Sequence, residues 1–269
     1  MSIGVHVGKD GKRNLIDSLI SYFDDTKTSK VAQIFMYGPQ SAHKCNIDKK
    51  QLNVLCTTNN IYVHSAYVTS LMKQAFLIEQ IETCNTVNIK GLVIHLCKKS
   101  PQILGKQIAD ASMHTNGKYP LLIEMTAVLP DKNSYESPEK IIALIDALIE
   151  NKVTSDRVRI CIDTAHIYAS RAKIESKADA DAYLHKLRYH AEWIGLIHLN
   201  GNQNDNKDKA KDKHAVPLSS IDKIWGGMEY NESGCKSFID YATNNNIDTI
   251  LEQHYSYNKN FLHELLLFT

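Results

Sequence analysis

In the stretch 158–171, VRICIDTAHIYASR, an apolar run ends on Asp163, and an imidazole, His166, follows three residues later. A carboxylate at the tip of a buried strand is costly to place without a partner, and so is an imidazole. Two such groups at one strand end suggest metal ligands or an acid–base pair. Taken alone the pair decides little, because a satisfied core aspartate or a helix N-cap would read the same way. The pattern recurs, however. His64 follows IYV, His95 follows GLVI, Glu124 follows PLLI, His198 follows IGLI and Glu252 follows IDTIL. The triplet Asp212-Lys213-His214 adds a carboxylate and an imidazole from a polar loop. Together these make five imidazoles and four carboxylates. A single tetrahedral zinc needs only three or four ligands, so the set implies more than one metal. Clustered metals activate water and clamp the attacking and leaving oxygens of a phosphodiester.

Such residues act together only if the chain brings the strand ends to one place. Apolar runs predict strands over 2–7, 31–36, 61–63, 91–94, 120–123, 158–162, 194–197 and 247–251. Helical spacing predicts helices over 14–23, 48–57, 68–87, 101–113, 178–192, 234–244 and 260–268, with another starting at Ser137-Pro138-Glu139, a plausible cap. The stretch GNQNDNKDKAKDK, 201–213, reads as a long exposed loop. Eight strand–helix units in 269 residues point to an α/β fold, a closed (β/α)8 TIM barrel, with 1–269 as one domain. An open doubly wound sheet would typically show a Gly-rich first turn, and none is present. In a parallel barrel every strand C-terminus lies on one face, where barrel enzymes build their sites.

Composition narrows the partners. The 31 basic and 30 acidic residues nearly cancel, so global charge neither demands nor excludes nucleic acid. The six cysteines contain no C-x-x-C pair and several sit in apolar runs, which suits buried free thiols in a reducing compartment. No apolar core of a signal peptide and no run of about 18 apolar residues is found. The expectation is a soluble intracellular monomer.

Blander readings apply to several residues. Lys207, Lys209, Lys211 and Lys213 could meet phosphates, though such loops are more often merely solvated. His43, His114, His185, His190 and His263 read as surface residues, and His254 as ambiguous. Cys97 and Cys161 read as barrel thiols rather than ligands. One strand-end histidine is usually structural; six strands of eight ending alike are not chance.

These residues resemble the endonuclease IV family of apurinic/apyrimidinic (AP) endonucleases. The likeness runs through IGVHVG, QIF, VHSAYV, GLVIHL, LLIEMTA, ICIDTAHIYASR, HLN, DKH and ILE, nearly the whole chain. The resemblance implies a xylose-isomerase-like barrel with three zinc ions, for which manganese or magnesium could stand in. It implies cleavage of damaged double-stranded DNA on the 5′ side of an abasic site, as in base excision repair, together with 3′-end trimming. His64, His95 and Glu124 would hold one ion. Glu124 would bridge to a second, held also by Asp163, His198 and Glu252, and His166, Asp212 and His214 would hold the third. A hydroxide between the first two ions would attack the phosphorus, so Glu124, Asp163 and Glu252 would act in catalysis through the metals. Tyr67 and Val68 would wedge into the duplex. Gln40, in FMYGPQ, stands where the family carries a DNA-entering arginine, and AVPLSSIDKIWGG after His214 lacks the family's Gly-rich continuation. His6 matches a family histidine that is not a ligand. Two other readings remain: a metal-dependent sugar isomerase or epimerase on the same barrel, and a non-catalytic, zinc-stabilised DNA-binding protein.

Overall fold

A computed structural model describes residues 2–9, 13–72, 74–131, 133–205 and 210–266. Its centre is a closed barrel of parallel strands: β1 (Ile3–His6), β2 (Val31–Phe35), β3 (Asn60–His64), β4 (Gly91–His95), β5 (Leu121–Glu124), β6 (Val158–Asp163), β7 (Ile194–His198) and β8 (Asp248–His254). Each strand pairs with its sequence neighbours, and β8 closes onto β1. Around it lie α1 (Leu15–Thr26), α2 (Lys49–Cys56), α3 (Gln74–Cys84), α4 (Pro101–Met113), α5 (Pro138–Glu150), α6 (Thr164–Ala169), α7 (Lys177–Leu187), α8 (Gly234–Asn244) and α9 (Tyr255–Leu266). Among the described residues no helix is long and apolar enough to cross a membrane.

The strands are buried on both faces, so they read as continuous apolar runs rather than alternating ones. The alternation survives in where the side chains go. Val31, Tyr62, Val93, Leu122, Cys161, Leu196 and Ile250 form a small cluster of their own, one residue from each of seven strands, which fills the barrel. Their chain neighbours Ala32, Ile61, Val63, Leu92, Ile94, Leu121, Ile123, Ile160, Ile162, Ile197 and Leu251 join the larger core under the helices. Gly4 on β1 completes the ring, and nothing larger fits: a Cβ there would meet the Val31 carbonyl oxygen at 2.0 Å.

Four local expectations need correction. The stretch 68–87 is not one helix. Residues 66–72 form turns, with Thr69 N–H donating to the Ala66 carbonyl at 2.8 Å, and α3 starts only at Gln74. Gln80, on α3, competes for that segment by accepting from Ala66 N–H at 3.0 Å and bonding Thr69. The expected 178–192 helix yields to a 3-10 turn from Arg188. Ser137 makes no side-chain cap bond to α5. The expected loop 201–213 begins as a ribbon, Gly201–Asn202 pairing antiparallel with His214–Ala215, and its first two residues are buried. Lys207 and Lys209 lie outside the described residues; Lys211 and Lys213 are exposed.

Candidate metal centre at the barrel mouth

Side chains two residues apart on a strand share a face. Two residues beyond each inward-facing core residue therefore comes a second ring: Gln33, His64, His95, Glu124, Asp163, His198 and Glu252, with His6 on β1. Neighbouring strands hold the ring in register, His95 beside Glu124 and Asp163 beside His198. Six of its members are the strand-end residues expected from the sequence. Glu252 differs in one respect, because β8 runs past it to His254.

Glu124 is fully buried and sits among four imidazoles. Its Oε2 lies 3.0 Å from His64 Nε2 and 3.0 Å from His95 Nε2, and its Oε1 lies 3.1 Å from His198 Nδ1 and 3.3 Å from His166 Nδ1. His198 Nδ1 is also 3.3 Å from Glu252 Oε1 and 3.7 Å from Asp163 Oδ2. The ribbon delivers the remaining pair. Asp212 places one oxygen 3.1 Å from His166 Nε2 and the other 2.8 Å from His214 Nε2, and His214 Nε2 is 3.7 Å from Asp163 Oδ2. Donor atoms gather as His64–His95–Glu124, as Glu124–Asp163–His198–Glu252 and as Asp163–His166–His214, each within 4.8 Å. Asp163 thus also touches the third group, which the sequence reading assigned to His166, Asp212 and His214.

Three imidazoles have their proton placed by a carbonyl. His64 Nδ1 donates to the Ser65 carbonyl at 2.7 Å, His166 Nδ1 to the Met125 carbonyl at 2.6 Å, and His198 Nε2 to Gln33 Oε1 at 2.9 Å. A carbonyl oxygen only accepts, so in the neutral ring the other nitrogen faces inward with its lone pair free. This is the usual support for a metal-bound histidine. Two carboxamides align the acids. Gln33 Nε2 donates to Glu252 Oε1 at 2.9 Å, while Asn200 Nδ2 donates to Asp163 Oδ2 at 2.7 Å and Glu252 Oε2 at 3.0 Å. Asp163 also accepts from His166 N–H at 2.8 Å, so it caps α6 and faces the cluster at once. Gln33 and Asn200 escaped the sequence reading. For Gln33 the signal was a polar residue inside the apolar run VAQIF, at the inward phase.

The electrostatics of the site pair its acids with imidazoles. Burial works to raise Glu124, yet His95 and His198 hold it well below the usual carboxylate range. Burial lifts Asp163 to about 6, whereas Glu252, despite burial, is drawn to about 2, chiefly by His198. Burial opposes charge on His214, but Asp212, Asp163 and Glu252 carry it up to about 9. Four carboxylates kept together in such a site call for cations. His214 Nε2 lies 2.8 Å from Asp212 Oδ1 and 3.7 Å from Asp163 Oδ2. A nitrogen facing two carboxylates fits a shared metal position. The clustered groups are thus compatible with metal binding.

The other candidates sit at the rim. Tyr67 packs against His64 and His95, with ring centroids 5.4 Å from each, and is 45% exposed; Val68 beside it is 47% exposed. Gln40 is exposed on the turn after β2, where Tyr67 N–H reaches the Pro39 carbonyl at 2.8 Å. His6 stands against Phe35, and His254 bonds Ser256 instead of joining the cluster. All six cysteines are free, with Cys161 in the barrel beneath the site.

No family model matches the chain. It is 28% identical over 246 residues to a probable AP endonuclease of African swine fever virus (isolate Tick/South Africa/Pretoriuskop Pr4/1996), covering 84% of this chain and 79% of that one. It is 25% identical over 258 residues to a probable endonuclease 4 of Mycoplasmopsis synoviae, covering 91% and 86%. Among solved structures, endonuclease IV from Thermus thermophilus superposes with a TM-score of 0.76 at 18% identity, covering both chains completely. The barrel also resembles a xylose isomerase domain protein from Alicyclobacillus acidocaldarius, with a TM-score of 0.59 at 9% identity, covering 99% and 97%.

Proposed function

We infer that this chain, whose homologues are named AP endonuclease and endonuclease 4, is a DNA-cleaving hydrolase of the endonuclease IV type. Its finer activity, on this reading, is zinc-dependent incision of duplex DNA on the 5′ side of an abasic site, with trimming of blocked 3′ ends as a second activity of the same centre. Residues 1–269 serve as one catalytic domain. The observation that carries the reading is the ring of six strand-end ligands completed by the ribbon pair Asp212 and His214. The sugar-isomerase alternative gives His166, Asp212 and His214 no task.

The residues fit three ions. His64, His95 and Glu124 would hold the first, Glu124, Asp163, His198 and Glu252 the second, and His166, Asp212 and His214 the third, with Asp163 close enough to share it. Bound zinc supplies acidified water and positive charge for the oxygens of a phosphodiester. The protein's own part is placement. Gln33 and the Ser65 and Met125 carbonyls fix the imidazole tautomers, and Asn200 holds Asp163 and Glu252 apart. Glu124 stays ionised between the two sets it would link. Burial keeps bulk water from the floor of the site, which strengthens every charge interaction there. Tyr67, Val68 and Gln40 would meet the duplex from the rim, with Tyr67 and Val68 offering apolar surface to a helix opened by a missing base.

The test is a labelled duplex carrying a tetrahydrofuran abasic mimic, set against ketose turnover by the same preparation. A single nick 5′ to the mimic with no sugar conversion is expected. Sugar conversion with the duplex intact would replace this reading by the isomerase one.

A further inference from the structure

The first two groups of donor atoms come from barrel strands, which the sheet holds in register. The third depends on something else. Asp212 and His214 are carried by the short ribbon, two residue pairs long, and so small a hairpin is marginal on its own. Asn202 and Asp222 supply its hold on the barrel. Asn202 is fully buried and reaches both residues: its backbone pairs with His214, and its Nδ2 donates to the Lys211 carbonyl, next to Asp212, at 3.0 Å.

Asp222, itself buried, grips Asn202 in turn. Its Oδ1 accepts from Asn202 N–H at 3.0 Å and from Ile224 N–H at 2.8 Å, and its Oδ2 accepts from Leu218 N–H at 3.0 Å and from Trp225 N–H at 3.3 Å. One carboxylate thus ties the ribbon to the segment 218–225, through hydrogen bonds that its charge strengthens. That segment is anchored as well, because Trp225 lies in the larger core and its Nε1 donates to the Ile174 carbonyl at 3.0 Å. Two features show how closely the clamp is drawn. Leu218 has a φ of 63°, a left-handed conformation that persists in a bulky residue only where the surroundings enforce it, and its N–H is one of the four held by Asp222. The ribbon also comes so near that a Cβ on Gly201 would meet Asp222 Cγ at 2.5 Å.

We propose that Asp222 and Asn202 are positioning residues for the third metal position, and that this position can be lost while the other two remain. Neither side chain is among the donors. Each acts through the backbone that carries Asp212 and His214, whereas the donors of the first two groups stand on the barrel itself. The inference rests on the three-ion reading of the site.

The test titrates zinc, against a chromogenic chelator, into metal-stripped wild type and the Asp222→Asn and Asn202→Ala variants. Asp222→Asn puts an NH2 group where one oxygen accepts two N–H bonds. Asn202→Ala keeps the Asp222 bonds, since the one from residue 202 comes from its backbone, and removes the grip on Lys211. Wild type should take up three ions. In each variant one of them should bind about tenfold to a hundredfold more weakly, the usual cost of losing the outer support of a metal-bound group. The other two should keep wild-type affinity. Amide hydrogen exchange of the metal-free proteins separates positioning from general stability: residues 211–215 should exchange faster in both variants, and β5 and β6 at the wild-type rate. If Asp222→Asn does not fold, Asn202→Ala carries the test alone. Weakening of all three ions together, faster exchange throughout the barrel, or wild-type behaviour in the folded variants overturns the proposal. Fewer than three ions in wild type marks failure of the three-ion reading, which removes the inference with it and is seen before any variant is compared.

Discussion

Gln33 donates to Glu252 across a 2.9 Å hydrogen bond that reaches over β1, from β2 to β8. The same carboxamide accepts from His198, so one uncharged residue sets both an acid and an imidazole of the proposed second metal position. Gln33→Ala should lower metal affinity about tenfold to a hundredfold, the usual cost of losing an outer partner of a ligand. Titration against a chromogenic chelator reads this directly. Unchanged affinity would mean that the Gln33 contacts are packing only.

Asn200 makes a different prediction, on stability. It is buried and donates to both Asp163 and Glu252, and its Oδ1 accepts from Glu252 N–H at 3.0 Å. Asn200→Ala leaves buried acceptors unsatisfied, at a cost of about 1–3 kcal/mol. Urea unfolding should show an earlier midpoint with an unchanged slope. A wild-type midpoint would show that the two acids need no such donor.

Most of the barrel was legible because a strand buried on both faces must be apolar throughout, and the polar residue ending each run stood out against it. The ring of imidazoles and carboxylates was legible for the same reason. What could not be read was geometry set by distant side chains. Gln80 holds 66–72 out of α3 from residues away in sequence, and the ribbon under 201–213 depends on Asp222, which accepts from Asn202 N–H at 3.0 Å. Apolar residues conceal the first, because AYVTSLM continues the helical spacing of α3, and a polar composition conceals the second. Gln33 was missed because a glutamine is not a ligand type, although its phase along β2 matches that of the strand-end histidines and acids.

At the rim, Tyr67 and Val68 are exposed apolar groups beside the imidazoles. Tyr67→Ala should weaken binding of an abasic duplex about tenfold, in line with the worth of one aromatic stacking contact. Metal content should stay at the wild-type level. Gln40→Arg should tighten binding and steepen its salt dependence, because it adds a phosphate-seeking charge. Gel-shift titrations at two salt concentrations check the two affinities and the salt slope, and unaltered affinities would remove these residues from the DNA surface.

His6, at the end of β1 in the ring at the barrel mouth, links stability to pH. Burial, aided by His64, His198 and His254 and opposed by Glu252, pushes its folded-state pKa down to about 3. In the unfolded chain it titrates near ~6.5. Between these values the unfolded state holds a proton that the folded state lacks, so this contribution to stability is lost as pH falls from about 6.5 toward 3. His6→Asn should therefore lose less stability than wild type between pH 7 and pH 5, by on the order of 1–2 kcal/mol. Parallel urea curves at both pH values measure it; identical losses would place His6 in an ordinary solvated setting.

Nicking of an abasic duplex before and after chelation tests most directly the proposal that metals held by this ring cut DNA at abasic sites. A nick 5′ to the lesion is expected, with its loss on chelation and its return when zinc is restored to the same protein. Undiminished nicking by the metal-stripped chain, or no nicking by a chain replete with zinc, would contradict it.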